Sequence, residues 1–173
     1  KTKAEGERIP ILERTLELKE DAELANKPIE LPEAWRNNLW PQSGGYPNRA
    51  MGQLELGNNL KKVWSAYIGS KDVSFNPLTV QPIAVNDSVY TLDNRSQLSA
   101  YDLRNGRMKW RFAINPPGEK RATLGGGIAY SNGRLYATSG YRLLLCINHE
   151  NGKLIWSKEL PSPARSAPTV SSG

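Results

Sequence analysis

Few residues in this sequence have the types and spacing that catalysis requires. The chain has one cysteine, Cys146, and one histidine, His149. A single cysteine excludes an internal disulfide framework and a multi-cysteine metal site. Cys146 lies at an apolar position of a strand-like run, which favours a small buried core residue over a nucleophile. His149 stands beside Glu150 on a turn, and we interpret it as a solvent-exposed turn residue.

Two further patterns match catalytic motifs only in part. Residues 125–127 are three consecutive glycines, but they lack the Lys-Ser/Thr of a phosphate-binding loop and lead into a strand pattern rather than a helix. Asp93 and Asp102 stand at turn positions, so we interpret both as turn residues rather than a catalytic pair. The sequence therefore predicts no catalytic residue, no metal ligand and no cofactor-binding residue.

A short turn recurs at a fixed spacing. Three tryptophans follow one another at intervals of 46 residues, and the last two each stand four residues after an Asn-Gly pair. The repeated positions are Trp64, then Asp102, Asn105, Gly106 and Trp110, then Asn151, Gly152 and Trp156. An aspartate at the turn can accept hydrogen bonds from amides two or three residues on, and the glycine can take the positive φ. A fixed period of this size is typical of repeat proteins.

Each copy of the repeat contains four short strand patterns joined by turn residues and rich in β-branched and aromatic side chains. Four antiparallel strands in about 40–45 residues is the size of one β-propeller blade. The sequence thus predicts an all-β fold with blades at residues 78–112 and 123–159. A strand near residues 61–68 precedes them, and a further blade starts at residues 166–173. The tryptophan on the last strand of each blade is placed to fill the gap between neighbouring blades.

The blades occupy only part of the chain, and we expect three regions. Residues 1–34 carry six basic and nine acidic side chains and predict an extended acidic tail. Residues 35–58 are rich in Gly, Pro and Trp and predict a strap packed on the body, with a ligand-stacking role for Trp35 or Trp40 as the alternative. Residues 59–173 hold the incomplete propeller, and residues 35–173 together form a basic body with a net charge of +9. The scattered basic residues predict a solvated surface rather than a nucleic-acid site.

Two and a half blades cannot close a ring, since propellers have about 4–8 blades. An unclosed blade would leave an apolar face and a sheet edge exposed. We therefore expect the sequence to be a fragment of a longer chain. Assembly of several copies into one ring is the alternative.

The repeat resembles that of quinoprotein-like propellers, in which an Asp-x-x-x-Gly turn precedes a tryptophan. Asn105 and Asn151 stand where that repeat commonly has Thr, and Asn148 replaces the Asp, but all three retain the ability to form turns. A narrower resemblance covers residues 40–52, 61–64, 125–127 and 165–170, which are similar to BamB-like proteins of α-proteobacteria. These are propeller lipoproteins of the outer-membrane β-barrel assembly machinery.

This resemblance implies an eight-bladed, non-catalytic scaffold in the periplasm, attached to the outer membrane by a lipid anchor upstream of Lys1. It implies no cofactor, no small-molecule substrate and no nucleic acid. The partner would be the periplasmic domains of BamA, and the strand around Trp64 would close the ring by joining the last blade. The polar connection at residues 115–121 is a candidate contact loop, so we single out Lys120 and Arg121, together with Trp40, as possible partner contacts.

Two other functions remain open. A dehydrogenase dependent on pyrroloquinoline quinone (PQQ) would need a tryptophan that stacks on the cofactor, an adjacent-cysteine disulfide and oxygen ligands for Ca²⁺. One cysteine and no cluster of Asp, Glu and Asn at the blade starts disfavour it, although blades outside this sequence could supply such groups. A sensor or adhesion ectodomain could use the same blades.

Overall fold

The computed structural model describes residues 21–25, 27–68, 79–119 and 125–172. Eight β-strands lie within these ranges: β1 (Ile83–Val85), β2 (Ser88–Leu92), β3 (Gln97–Asp102), β4 (Met108–Ala113), β5 (Gly126–Ser131), β6 (Arg134–Ser139), β7 (Leu143–Asn148) and β8 (Leu154–Glu159). No helix in the described ranges is long and apolar enough to cross a membrane.

The strands form two four-stranded antiparallel sheets with the orders β1-β2-β3-β4 and β5-β6-β7-β8. Hereafter they are blade 1 and blade 2. The two sheets have the same irregularity, because the pairing of the third and fourth strands shifts after Ala100 in blade 1 and after Cys146 in blade 2. Two sheets built from consecutive strands, with one shared register shift, confirm the predicted all-β fold of quinoprotein-like blades.

Short turns set these registers. Asn132 and Gly133 join β5 to β6 with φ angles of 47° and 76°, which are the two positive values that a type I′ turn requires. This turn pairs Ser131 with Arg134, and the same register continues along both strands to the pair Gly126 and Ser139. A one-residue slip would turn the buried side chains of β6 to the other face, so the turn fixes which residues enter the core.

The core lies between the two blades and is formed by alternate residues of their first three strands. Its fully buried members include Ile83, Tyr90 and Leu98 from blade 1, and Ile128, Leu135 and Ile147 from blade 2. Burial of each aliphatic side chain of this size contributes about 1.5–3 kcal/mol. Packing of β1 and β2 against β5 joins the blades into one core.

The regions outside the blades differ from one another. The chain divides into two units at residues 31 and 32, and most of the predicted acidic tail lies outside the described residues. Within residues 32–58, Trp35 pairs with Leu54, and the indole Nε1 of Trp35 donates to the Met51 carbonyl. The strap therefore folds back on itself.

A strand was expected near residues 61–68, but the structure forms no strand there. Its expected sheet partner is a blade other than the two described, so this segment has no ladder to join in blade 1 or blade 2. Residues 166–172, expected to begin a further blade, are likewise outside any strand.

Candidate functional site

The repeated turns have nearly identical geometry in the two blades. In blade 1, Oδ1 of Asp102 accepts from the amides of Arg104 and Asn105 at 2.9 and 3.1 Å. In blade 2, Oδ1 of Asn148 accepts from the amides of Glu150 and Asn151 at 2.9 and 3.2 Å. An asparagine in place of the aspartate therefore preserves the turn, because only one acceptor oxygen is used.

The second asparagine of each turn closes it from the other side. Oδ1 of Asn105 accepts from the amide of Arg107 at 2.8 Å, and Oδ1 of Asn151 accepts from the amide of Lys153 at 2.9 Å. Gly106 and Gly152 follow these asparagines with φ angles of 72° and 70°. This is the left-handed region, which favours glycine.

A tryptophan from the preceding repeat also packs against each of these glycines. A methyl group on Gly106 would lie 2.6 Å from Cε3 of Trp64, and one on Gly152 would lie 2.6 Å from Cε3 of Trp110. Real side-chain carbons do not approach a ring so closely, so only glycine lets the indole lie flat on the turn. The residues that recur every 46 positions thus form the contact between successive repeats.

A hydrogen bond fixes each indole in its place. Nε1 of Trp64 donates to the Leu103 carbonyl at 2.8 Å, and Nε1 of Trp110 donates to the His149 carbonyl at 3.0 Å. Leu103 and His149 are themselves 46 residues apart. The segment around Trp64 therefore contacts blade 1 as β4 contacts blade 2, even though it forms no strand.

Trp156 completes the series but has a different environment. Its ring lies 6.2 Å from that of Tyr136, while 38% of the residue is exposed. Leu154 and Ile155 beside it are each 46% exposed. The face of blade 2 that carries Trp156 is thus more open than the corresponding face of blade 1.

His149 is not the solvent-exposed residue that the sequence predicted, and that interpretation is wrong. Only 19% of its side chain is exposed, and its ring packs edge-on against Tyr130 at 5.4 Å. The buried hydroxyl of Tyr90 lies 3.1 Å from Nδ1 of His149 and also donates to the His149 carbonyl at 3.2 Å. Burial raises the pKa of this tyrosine, which keeps the hydroxyl protonated. His149 therefore joins the blades; the only sequence signal was its place in the repeat.

The other chemically capable residues have structural surroundings. Cys146 is fully buried in β7, and burial raises the pKa of its thiol. Oδ1 of Asp93 accepts from the amides of Arg95 and Gln97, as a turn residue does. Within the described ranges, no three His, Cys, Asp or Glu residues cluster as metal ligands would. The described residues therefore do not fit a quinone–calcium site.

The three glycines at residues 125–127 serve close packing at the start of blade 2. Gly126 and Gly127 begin β5, and an added methyl group on Gly127 would collide with Ala167. Oγ1 of Thr138 donates to the Ser166 carbonyl at 2.8 Å beside this contact. Small residues here let residues 164–167 lie directly on the sheet.

The strap crosses the free edges of both blades. Trp40 and Ala84 exchange two backbone hydrogen bonds, of 2.7 and 2.9 Å, and the amide of Tyr130 donates to the Pro41 carbonyl at 2.7 Å. Gln42 is only 3% exposed, and its Oε1 accepts from the amide of Val170 at 3.1 Å. The backbone of Trp40, one of the predicted partner contacts, is therefore engaged within the molecule, and its side chain is half-buried.

The other two predicted contacts, Lys120 and Arg121, lie outside the described residues. The connection leading to them is ordered by Asn115, whose Nδ2 donates to the Glu119 carbonyl at 2.7 Å. Oδ1 of Asn115 is buried and has no hydrogen-bond partner among the residues that the structure describes.

Comparison with known proteins agrees with these features. The family model described as outer membrane protein assembly factor BamB, a PQQ-repeat family, matches residues 94–173. BamB of Salmonella typhimurium is 27% identical over 118 residues, which cover 64% of this chain and 29% of that protein. Residues 94–173 are thus similar to the BamB-like PQQ-repeat family. An uncharacterised protein of Rickettsia conorii is 34% identical over 113 residues, covering 65% of this chain and 26% of that protein.

The BamB-like repeat is shared with enzymes. The dehydrogenase subunit of the alcohol dehydrogenase (quinone) of Gluconobacter oxydans is 31% identical over 81 residues, covering 44% of this chain and 11% of that protein. The crystal structure of a quinohemoprotein alcohol dehydrogenase from Comamonas testosteroni superposes with a TM-score of 0.63 at 20% identity, covering 81% of this chain and 23% of that one. This likeness shows the fold alone. The chain spans about a quarter of the length of the first curated relatives it matches.

Proposed function

We propose that this chain is part of a non-catalytic propeller scaffold that assists the assembly of outer-membrane proteins. The observation that carries the proposal is the match of the BamB family model to residues 94–173, which include the last two strands of blade 1 and all of blade 2. The Rickettsia and Salmonella relatives support a common bacterial origin of the repeat. Periplasmic location and attachment to the outer membrane through a lipid anchor are part of this proposal.

The junction geometry supports a scaffold role for the blades. Each repeat is joined to the next by an indole on a glycine turn and by one hydrogen bond to a carbonyl, and neither contact leaves a reactive group exposed. A row of such junctions gives a rigid body whose loops keep fixed positions relative to one another. Such a body suits a protein that holds a partner in place.

Trp64 supports a closed ring in the complete protein. It contacts blade 1 through the same glycine and the equivalent carbonyl that Trp110 uses on blade 2. We infer that the segment around Trp64 acts as the outer strand of a blade preceding blade 1, whose other strands come from elsewhere in the protein. Such closure would leave no free blade at either end of the ring.

For the partner, we propose the periplasmic domains of BamA, with contacts from the connection after blade 1. Lys120 and Arg121 add two positive charges to this polar loop, which suits an acidic surface on the partner. Trp40 is a weaker candidate, because its backbone is bonded to Ala84.

The second candidate function is a quinone-dependent alcohol dehydrogenase, and the relative from Gluconobacter oxydans is the observation that favours it. In this case the described blades would be a structural part of the enzyme, and the cofactor and its ligands would have to come from other blades. The two candidates share one fold and differ in what the complete protein binds.

Co-purification tests the scaffold proposal directly. The full-length protein should retain the isolated periplasmic domains of BamA, and Lys120→Glu with Arg121→Glu should weaken retention at least about tenfold, because it places like charges at the contact. Arg104→Glu with Arg107→Glu is the matched control, because both residues are exposed on the turn between β3 and β4. Equal losses from the two variants would mean that the loop makes no specific contact. Alcohol-dependent dye reduction after addition of PQQ and Ca²⁺, without BamA binding, would overturn the scaffold function.

A further inference from the structure

One amide in each of three successive repeats faces the same short segment of the chain. The amides of Ala84 and Tyr130 donate to the carbonyls of Trp40 and Pro41, and the amide of Val170 donates to Oε1 of Gln42. Ala84 and Tyr130 are 46 residues apart, and Val170 takes the same place in the match of residues 168–170 to residues 82–84. Consecutive residues of one segment thus meet equivalent positions of consecutive repeats.

Two of these amides, those of Ala84 and Tyr130, lie at sheet edges that lack a neighbouring strand of their own, whereas Val170 lies outside any strand. β1 and β5 are terminal strands in their sheets, and we call their free edges, together with Val170, the first-strand edge. Free edges of this kind offer unpaired donors and acceptors to any extended segment. An extended segment advances about 3.3 Å per residue, which lets it step from one repeat to the next while pairing only once with each.

The segment that occupies this edge contributes mainly acceptors. Trp40 also donates to the edge, through its amide to the Ala84 carbonyl at 2.7 Å, and Gln42 forms an antiparallel bridge with Ala129 of β5. Pro41 has no amide hydrogen, so this residue can only accept, as it does from Tyr130. Gln42 reaches Val170 with its side chain and is buried in doing so. The carbonyls of Trp40 and Pro41 and the side chain of Gln42 therefore follow one another in the same order as the amides of Ala84, Tyr130 and Val170.

A tight turn after Gln42 holds the segment against the first-strand edge. The amide of Gly45 donates to the Gln42 carbonyl at 2.9 Å, and Gly45 has a φ of 92°. A methyl group on Gly45 would collide with the thioether of Met51. Oε1 of Gln81, just before β1, accepts from Oγ of Ser43 and from the amide of Gly44, each at 3.1 Å.

We propose that the first-strand edge is a binding site for an extended peptide, read by one amide per repeat, and that Trp40–Gln42 is its resident ligand. The site takes an extended segment that accepts through two successive backbone carbonyls and then through a glutamine side chain, and the strap keeps it filled. A second extended segment of the same kind gains access when the strap leaves. This site is separate from the junctions between blades and does not depend on the function proposed above.

Amide hydrogen exchange of the 173-residue chain tests the assignment of one contact to each repeat. In Gln42→Ala, exchange at Val170 should be about tenfold faster, because one hydrogen bond is lost, while Ala84 and Tyr130 keep their protection. Leu135, buried within the blade 2 sheet, provides an internal reference for global opening. Equal acceleration at all three edge amides, or none at Val170, would contradict a site that is read one contact at a time.

Binding in trans tests the site itself. Gly45→Val should unseat the strap, and Gly57→Val is the matched control, because an added Cβ at Gly57 meets nothing within 4 Å. A labelled peptide of residues 38–46 should bind Gly45→Val at least about tenfold more tightly than it binds Gly57→Val, since the resident segment competes in the control. The bound peptide should restore the protection of Ala84, Tyr130 and Val170.

A peptide with alanine at the glutamine position should bind about tenfold more weakly and leave only Val170 unprotected. Equal binding of both peptides, or of a scrambled peptide, would overturn the proposal. If Gly45→Val unfolds, shown by rapid exchange at Leu135, the strap is required for folding and the Gln42→Ala exchange pattern decides the assignment.

Discussion

Blade 1 and blade 2 are nearly the same structure with different surroundings. Their turns accept the same hydrogen bonds, within 0.1 Å in each matched pair, and their third and fourth strands shift register at equivalent residues. Yet Trp110 lies against Gly152 with its indole bonded to a carbonyl, whereas Trp156 is 38% exposed. The repeat fixes geometry inside a blade, while the neighbouring repeat determines how much each equivalent residue contributes to stability.

The outer strands show the same contrast. In β4, Trp110 and Phe112 are half-buried, but every residue of β8 is exposed. A β-strand places alternate residues on opposite faces, so full exposure means that neither face of β8 is covered. Equivalent substitutions in the two blades therefore measure how much stability a strand gains when a neighbouring repeat packs against it.

The largest contrast is expected at the tryptophans. Trp110→Ala should lower the free energy of unfolding by about 3–4 kcal/mol, because it removes packing against Gly152 and the bond to the His149 carbonyl. Trp156→Ala should cost only about 1 kcal/mol in this 173-residue chain, since much of its ring already faces water. Urea denaturation followed by circular dichroism measures both. Equal losses would mean that the indole stabilises its own blade rather than the junction.

Glycine substitution at the junction should have the next largest effect. Gly152→Ala should cost about 2–3 kcal/mol, because the methyl group strains a φ of 70° and also displaces the ring of Trp110. Gly118→Ala is the control: it has a φ of 83°, but an added Cβ there meets nothing within 4 Å, so about 1 kcal/mol of backbone strain is expected. The difference between the two variants isolates the contact with the indole. A cost no greater at Gly152 than at Gly118 would show that the indole adapts freely.

The sequence predicted what repeats and could not predict what occurs once. Turn residues such as Asn105 and Gly106 recur with the period, so their roles follow from local backbone chemistry and the spacing alone. The burial of His149 could not be predicted, because it depends on Tyr90, a residue of the other blade 59 positions away. The contact of Gln42 with Val170 spans 128 positions and has no periodic signal. The strap is rich in Gly and Pro, which indicates a loop but not the edge that it covers.

Tyr90 and Tyr136 occupy equivalent places and should differ by about 1 kcal/mol. Tyr90→Phe removes the hydroxyl that meets both Nδ1 and the carbonyl of His149 from a fully buried site, so a loss of about 1–1.5 kcal/mol is expected. Tyr136→Phe changes a half-buried residue beside the exposed Trp156 and should cost less than about 0.5 kcal/mol. Thermal unfolding of the paired variants measures the difference. An equal effect would show that the bond to His149 does not couple the blades.

The smallest expected effect comes from a charge pair present only in blade 1. Nζ of Lys109 lies 2.9 Å from Oδ2 of Asp87, and the places 46 residues on are Ile155 and Gly133, so blade 2 has no counterpart. Hydrogen bonds from Lys109 and then Ser88 hold the pKa of Asp87 below its ordinary value. Because the carboxylate is favoured in the folded state, its contribution is present above the pKa of the unfolded chain, near 4, and is lost as the pH falls through the folded pKa.

Asp87 is largely exposed, so solvent limits this contribution to about 0.5 kcal/mol. Asp87→Asn should therefore reduce stability slightly at pH 7 in low salt, and its effect should diminish at an acid pH below about 4, as the carboxylate of the native protein becomes protonated. The equivalent residue of blade 2, Gly133, has no carboxylate. Asp87→Asn therefore removes the charge that distinguishes blade 1 from blade 2 at this position. Denaturation curves at the two pH values, each at low and high salt, measure it. A loss that persisted at low pH would come from packing rather than charge, and the blades would then differ in shape as well as in cover.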